Sequence, residues 1–191
     1  MIAIFGRLHP FKGHDVFLRA AALVAARNQG TKFLVVGSSL MGLEISYADR
    51  LHEIVRAAGM EKNVIFLGER NDVSDLMNAC DVIVHASIEP EPWGLVVAEG
   101  MAAGRAVIAA AAGGPLEMIE NGRTGLLVPP GDPAALAGAI ESLLQNPELR
   151  RRMGEAARRH AEEHFDSERA AAVLCKELQR VACQRLATIE C

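Results

Sequence analysis

Val82-Ile83-Val84-His85 and Ala106-Val107-Ile108-Ala109 are short, nearly all-apolar runs, and Leu95-Val96-Val97-Ala98-Glu99-Gly100-Met101-Ala102-Ala103 stands between them. Runs of this kind suit strands buried on both faces of a parallel sheet, where no polar alternation is needed. The longer stretch, closed by Gly104, reads as the helix between the strands, since glycine accepts the left-handed backbone that ends a helix. Such a strand–helix–strand unit makes its two strands parallel.

The alternation extends in both directions. Further strands are expected at residues 2–5, 32–36, 64–67 and 125–128. Helices are expected at 14–28, 43–58, 73–79, 95–103, 115–120, 133–145, 147–164 and 167–186. Asp132-Pro133 and Asn146-Pro147 each set a capping residue before proline at the first helical position, and Gly59 ends a helix before a strand. The fold class is therefore α/β: a Rossmann-like, doubly wound parallel sheet of about six strands with right-handed crossovers. Ligands of such sheets bind at the carboxyl ends of the strands, where Arg7, Gly37, Gly68, His85 and Ala110 fall.

Residues 1–165 form the expected domain, and 166–191 a C-terminal helix. Val173, Leu174, Leu178, Val181 and Leu186 make one apolar stripe on that helix, which needs a surface to cover: this domain, a missing domain or a second copy of the chain. The chain opens on Met1-Ile2-Ala3-Ile4-Phe5, a core strand with no lead-in, as expected of a piece of something longer.

The bulk numbers narrow the function. A chain of 191 residues buries roughly 70% of its unfolded surface and needs no staples. Net charge is −4, too little basic excess for nucleic-acid binding. The four cysteines, Cys80, Cys175, Cys183 and Cys191, form no C-x-x-C pair and read as free thiols in a reducing compartment, the cytoplasm. No run is apolar and long enough to span a membrane.

Chemistry-bearing residues gather in three places. Gly6-Arg7-Leu8-His9-Pro10-Phe11-Lys12-Gly13 follows the first strand and offers a guanidinium fork, an ammonium and backbone amides, a set suited to a diphosphate. Glu91-Pro92-Trp93-Gly94-Leu95-Val96-Val97-Ala98-Glu99 places two carboxylates around a glycine turn and a helix start. Glu99 can accept from ribose hydroxyls, Glu91 from a sugar hydroxyl, and the amides of Trp93, Gly94 and Leu95 point out at the helix N-terminus. Glu89 is a rival for Glu91. Gly113-Gly114-Pro115 makes either a phosphate-permissive turn or a tight strand-to-helix connection. His85, His9 and His14 could touch phosphate or sugar, a satisfied structural histidine being the favoured reading for His85. There is no P-loop and no dinucleotide fingerprint, so an NTPase and an NAD enzyme are both disfavoured. His160-Ala161-Glu162-Glu163-His164 matches an inverted zinc-protease pattern, but without a third ligand nearby it reads as a polar helix face with two exposed histidines.

The ordered set of these motifs resembles the C-terminal, donor-binding domain of a GT-B glycosyltransferase of the group 1 superfamily. The resemblance rests on Gly6-Arg7-Leu8 with Lys12-Gly13, Phe66-Leu67-Gly68, Asp81-Val82-Ile83-Val84, Glu91 to Glu99, Gly113 to Ile119, Asn121 to Val128 and Gly131-Asp132-Pro133, from residue 2 to about residue 165. It implies that Arg7 and Lys12 bind the donor diphosphate, that Glu99 binds the ribose and that Glu91 contacts the donor sugar. Arg7, Lys12 and Glu91 are then the catalytic candidates. Trp93, Gly94 and Leu95 would meet sugar or phosphate through their amides, and Arg70 would border the base. It implies a retaining, hexosyltransferase-like enzyme with no bound metal and no cofactor beyond a nucleoside diphosphate-sugar substrate. The acceptor would be a glycan, a lipid or a small molecule. Trp93 stands where Phe is usual, and Pro115 comes one place early. The acceptor-binding N-terminal domain of such enzymes has no counterpart here, so weak nucleotide binding and no sugar transfer by this chain alone are expected. The whole enzyme would be cytoplasmic, or peripheral at a membrane through that domain. The rival reading is a non-catalytic assembly module of the same fold.

Overall fold

A computed structural model of the chain describes residues 1–39 and 45–189. Strands β1 (Ile2–Phe5), β2 (Phe33–Val36), β3 (Val64–Gly68), β4 (Val82–His85), β5 (Ala106–Ala110) and β6 (Leu126–Val128) form one sheet. Its order is β3-β2-β1-β4-β5-β6 and every pairing is parallel. The helices are α1 (His14–Ala25), α2 (Ile45–Ala57), α3 (Val73–Ala79), α4 (Leu95–Ala102), α5 (Pro115–Met118), α6 (Pro133–Gln145), α7 (Pro147–His164) and α8 (Ser167–Ile189).

The period of two along each strand sorts side chains between two helical layers. Ile2, Ile4, Phe33, Val35, Val82, Val84 and Ile108 pack with Phe17 and Val24 of α1, Leu51 of α2, and Leu136 and Ile140 of α6. Their neighbours Ala3, Leu34, Val36, Ile83, Val107 and Ala109 face the opposite layer, with Met77 of α3, Val97 and Met101 of α4, and Ala157 and Ala161 of α7. Each fully buried Leu, Ile or Phe here is worth roughly 1.5–3 kcal/mol. Since helices cover both faces, the strands carry no polar alternation.

The caps act as the sequence suggests. Asp132 accepts from the amides of Ala134 and Ala135, and Asn146 from that of Leu149. Small boundary differences have local causes. Helix α1 stops at Ala25 rather than at residue 28: the Arg27 amide donates three residues back, to Val24, and the Asn28 side-chain amide takes the same carbonyl. Strand β3 runs one residue further, because a register shift pairs Val36 with Gly68 and passes over Leu67. The expected first residues of α2, 43 and 44, lie outside the described residues.

Helix α8 leaves the body of the fold. Val173, Leu174, Leu178 and Val181 are exposed on it, and the side chain of Leu186 lies outside those described. Cys80 is buried and Cys175 exposed, both as free thiols. Among the described residues no helix is long and apolar enough to cross a membrane.

Candidate functional site

Strand β1 lies between β2 and β4, so chain direction around the sheet reverses there. A doubly wound sheet opens its crevice at that switch point, because the loops after the two flanking strands splay to opposite sides. The loop after β1 and the loop after β4 face each other across it. Phe11's carbonyl accepts from the Ile88 amide at 2.8 Å. Gly13, at φ 68°, brings its Cα against Ala86; a Cβ there would stand 2.0 Å from the Ala86 carbonyl oxygen. Only glycine satisfies both the left-handed backbone and that approach.

Lys12 and Glu91 meet across this seam, Nζ to Oε1, at 2.5 Å. Glu91's other oxygen accepts from His85 Nε2 and from Ser87 Oγ, each at 2.8 Å. The hydrogen bond from His85 above all, then those from Lys12 and Ser87, lowers the Glu91 pKa to about 2, while burial works the other way. His85 is therefore assigned the tautomer that donates from Nε2. Its Nδ1 is buried without a partner, so this histidine is tied on one side only. Lys12 also lies 4.9 Å from the centre of the Phe11 ring. Ser87 was not picked out in the sequence. It sits in an irregular loop, where no periodicity marks which side chains turn inward.

Beside this cluster a cleft of about 500 Å3 opens at the carboxyl ends of β1, β2 and β3. Arg7, Arg70 and Glu99 line it together with Gly37, Ser38, Ser39 and Glu69. Glu99 stands one turn into α4, and Arg7 follows β1 directly. Arg70 holds both Asp72 oxygens, at 2.8 and 2.6 Å, which fixes its guanidinium plane at the cleft border. Ser38, whose hydroxyl donates to Glu69, escaped the sequence reading; its place directly after Gly37 at a strand's carboxyl end was the available signal. The cleft thus gathers Arg7, Arg70 and Glu99, while Lys12 and Glu91 stand in the adjacent seam.

Gly94 opens α4 from a left-handed conformation, φ 86°. Among the described residues none accepts from the amides of Trp93, Gly94 or Leu95, which are therefore available at the helix N-terminus. The Trp93 ring, half exposed, packs edge-on against Phe165 at 6.1 Å. Leu95 points into solvent. Glu89 is exposed, and among the described residues it is Glu91, not Glu89, that bonds Lys12, His85 and Ser87.

The glycines at 113 and 114 serve the tight connection. A Cβ on either would stand 2.2 Å from a carbonyl oxygen, of Glu91 for Gly113 and of Trp93 for Gly114, and the Gly114 amide donates to Glu91's carbonyl at 2.8 Å. Their role is to let the turn after β5 press against the backbone of residues 91–93.

The other histidines separate. His14 is fully buried at the start of α1, beneath the basic loop, and cannot touch a ligand; its pKa falls to about 4, chiefly because burial disfavours the charged form. His160 is not the exposed residue expected of a polar helix face: it packs on Phe165 at 5.7 Å and faces Glu120 at 3.5 Å, while His164 is exposed. Among the described residues no group of three metal-ligating side chains assembles around this pair or elsewhere.

A six-stranded parallel sheet in this order is the complete doubly wound architecture whose ligands, commonly nucleotides, bind at the switch point. Residues 1–160 match the family of group 1 glycosyl transferases, and the chain belongs to that family. It is 37% identical over 186 residues to the D-inositol 3-phosphate glycosyltransferase of Rhodococcus erythropolis, covering 95% of this chain and 41% of that protein. Anabaena Alr3699/HepE, crystallised in complex with UDP, superposes at a TM-score of 0.89 with 34% identity over 94% of this chain and 48% of that one. The C-terminal domain of the group 1 glycosyl transferase LpcC from Francisella tularensis superposes at 0.81 with 28% identity, covering 87% of this chain and 86% of that domain. The chain therefore corresponds to the C-terminal domain of a GT-B fold, and spans about half the length of the full-length relatives it matches.

Proposed function

We propose that this chain is the donor-binding half of a retaining, metal-independent glycosyltransferase that moves a sugar from a nucleoside diphosphate-sugar to an acceptor. The observation that carries the reading is the convergence of Arg7, Lys12, Glu91 and Glu99 on the β1/β4 switch point, beside a cleft large enough for a nucleotide. Arg7 and Lys12 neutralise the diphosphate and stabilise it as it leaves; that is electrostatic work, done before the reaction by placing the cations where charge develops. Glu99 accepts from the ribose, the free amides at residues 93–95 meet phosphate or sugar, and Arg70 borders the base. The UDP and UDP-glucose complexes of the Anabaena protein support a nucleotide-sugar as ligand. The acceptor, a glycan, lipid or small molecule, belongs to an N-terminal half, and without that half the chain binds donor weakly and transfers no sugar. The assembled enzyme works in the cytoplasm, or at a membrane surface through its other half.

Calorimetric titration with UDP, GDP and ADP tests this. One nucleotide saturates the chain, and Lys12→Ala and Glu99→Ala each weaken it by about tenfold or more, the loss expected for a charged hydrogen bond. No binding by the folded chain, or no effect of either substitution, overturns the reading. The exposed stripe on α8 favours one alternative, a non-catalytic module that assembles through this helix. Light scattering that returns a monomer, unchanged by Leu174→Lys and Leu178→Lys, counts against self-association.

A further inference from the structure

The contact between Lys12 and Glu91 joins a residue proposed for the donor diphosphate to a residue proposed for the donor sugar. Both are substantially enclosed, with side chains 21% and 16% exposed. Glu91 is asymmetric. Its Oε2 takes two donors, His85 Nε2 from the end of β4 and Ser87 Oγ from the loop that follows, on which Glu91 itself lies. Among the described residues its Oε1 takes Lys12 alone, 79 residues away in sequence. The two sets of bonds fall on different oxygens, so Lys12 can leave Oε1 without disturbing those at Oε2. Lysine suits such a move, being a compact charge on a flexible stem rather than a planar fork.

We propose that Lys12 and Glu91 form an exchange pair: the donor diphosphate draws Lys12 away from Oε1, the vacated Oε1 accepts a hydroxyl of the donor sugar, and His85, as a positioning residue, holds the carboxylate in place throughout. This rests on the donor-binding reading above. It turns this ion pair into a device that resists a nucleotide without a sugar. UDP must break the pair and leaves Glu91 short of one partner, whereas UDP-glucose breaks it and supplies a replacement. The orphaned Nδ1 of His85 fits a residue placed for its Nε2 donor rather than for its own satisfaction.

The consequence is a pair of opposite signs. In Glu91→Gln the carboxylate no longer competes for Lys12, so a bare nucleoside diphosphate binds tighter by about fivefold, the factor that the loss of a partly exposed ion pair gives. The same variant loses the preference for the sugar-bearing nucleotide by about tenfold, the worth of a hydrogen bond to a charged group. His85→Leu, which removes the donor, also lowers that preference, and His85→Gln, which keeps a donor, restores part of it; a merely structural histidine would be equally damaged by both. The measurement is calorimetry with whichever of UDP, GDP and ADP binds the wild type, and with its glucose conjugate, on wild type, Glu91→Gln, His85→Leu and His85→Gln. Equal weakening of both ligands by Glu91→Gln, or no change in either, overturns the exchange while leaving the donor site intact. Absence of binding by any of the three nucleotides to folded wild type overturns the donor-site reading and the exchange with it.

Discussion

Replacing Gly114 by alanine and replacing Gly138 by alanine are the same chemical change with opposite expected outcomes. Gly114 has φ −50° and ψ −39°, a backbone that alanine adopts freely, so strain in the turn itself contributes nothing. The cost comes from across the gap. Its new Cβ would stand 2.2 Å from the Trp93 carbonyl oxygen and 2.7 Å from that residue's carbonyl carbon and Cα. Those are backbone atoms, which cannot rotate aside. The two segments must part by roughly 1 Å to restore an ordinary carbon–oxygen contact. That parting stretches the bond from the Gly114 amide to the Glu91 carbonyl, now 2.8 Å. Overpacking of this kind costs about 1–3 kcal/mol and the weakened hydrogen bond ~1 kcal/mol, together about 2–4 kcal/mol. For a chain of this size that lowers Tm by roughly 5–15 °C. Gly138 lies inside α6 with nothing within 4 Å of a Cβ. Alanine there gains helix propensity and raises Tm by about 2–4 °C, from a stabilisation of ~1 kcal/mol. Thermal melts followed by far-ultraviolet circular dichroism, with urea titrations to obtain free energies, compare the two variants with wild type. A Gly114→Ala protein as stable as wild type would refute the close packing of these segments and, with it, the reason given for the paired glycines.

Acid has two distinct effects. The His14 pKa in the folded chain, about 4, lies below its ordinary 6.5, so the unfolded chain binds the proton more readily. Stability therefore falls as pH drops from 6.5 to 4, by roughly 3 kcal/mol in all, and His14→Phe removes that slope in urea titrations spanning the window. Glu91 acts in the next window: its pKa, lowered from 4.5 to about 2, gives stability that is complete above 4.5 and disappears as pH falls toward 2. The effect is about 1–2 kcal/mol after solvent screening, and Glu91→Gln flattens the curve below pH 4.5. Trp93 is the chain's one tryptophan, so Phe165→Ala, which removes its edge-on neighbour, shifts the emission to the red and destabilises by about 0.5–1.5 kcal/mol. Unchanged emission would show that the ring does not pack there.

The sheet was legible in the sequence because strands such as Val82–His85 are buried on both faces and carry no ambiguous alternation. Helix starts were legible where Asp132 and Asn146 announce them with a side chain whose only local use is capping. That Arg7, Arg70 and Glu99 line one cleft follows from topology: each arginine comes just after a strand end, and Glu99 stands one turn into α4. The internal wiring of the site was not legible. Nothing along the chain says that the two oxygens of Glu91 are shared among Lys12, His85 and Ser87, since that depends on how two loops meet across β1 and β4. For the same reason the inward turn of His160 toward Phe165 stayed hidden: a helical pattern tells which residues share a face, but not what lies against it.

The central place of β1 also governs the order in which this chain can take shape. Its partner β2 follows after one helix, but its partner β4 begins 80 residues after it, at Val82. During synthesis one edge of β1 stays open through the making of β2, α2, β3 and α3, a ready template for the wrong strand. The basic loop likewise has no opposite wall until residues 85–91 emerge. Contacts of such sequence separation form late and slowly, because loop closure must precede them. The cleft thus cannot be assembled until the chain has been made as far as Glu99, about half of its length. A polypeptide halted before Val82 would hold Arg7 and Lys12 without the seam, and a β1 edge still open to other chains.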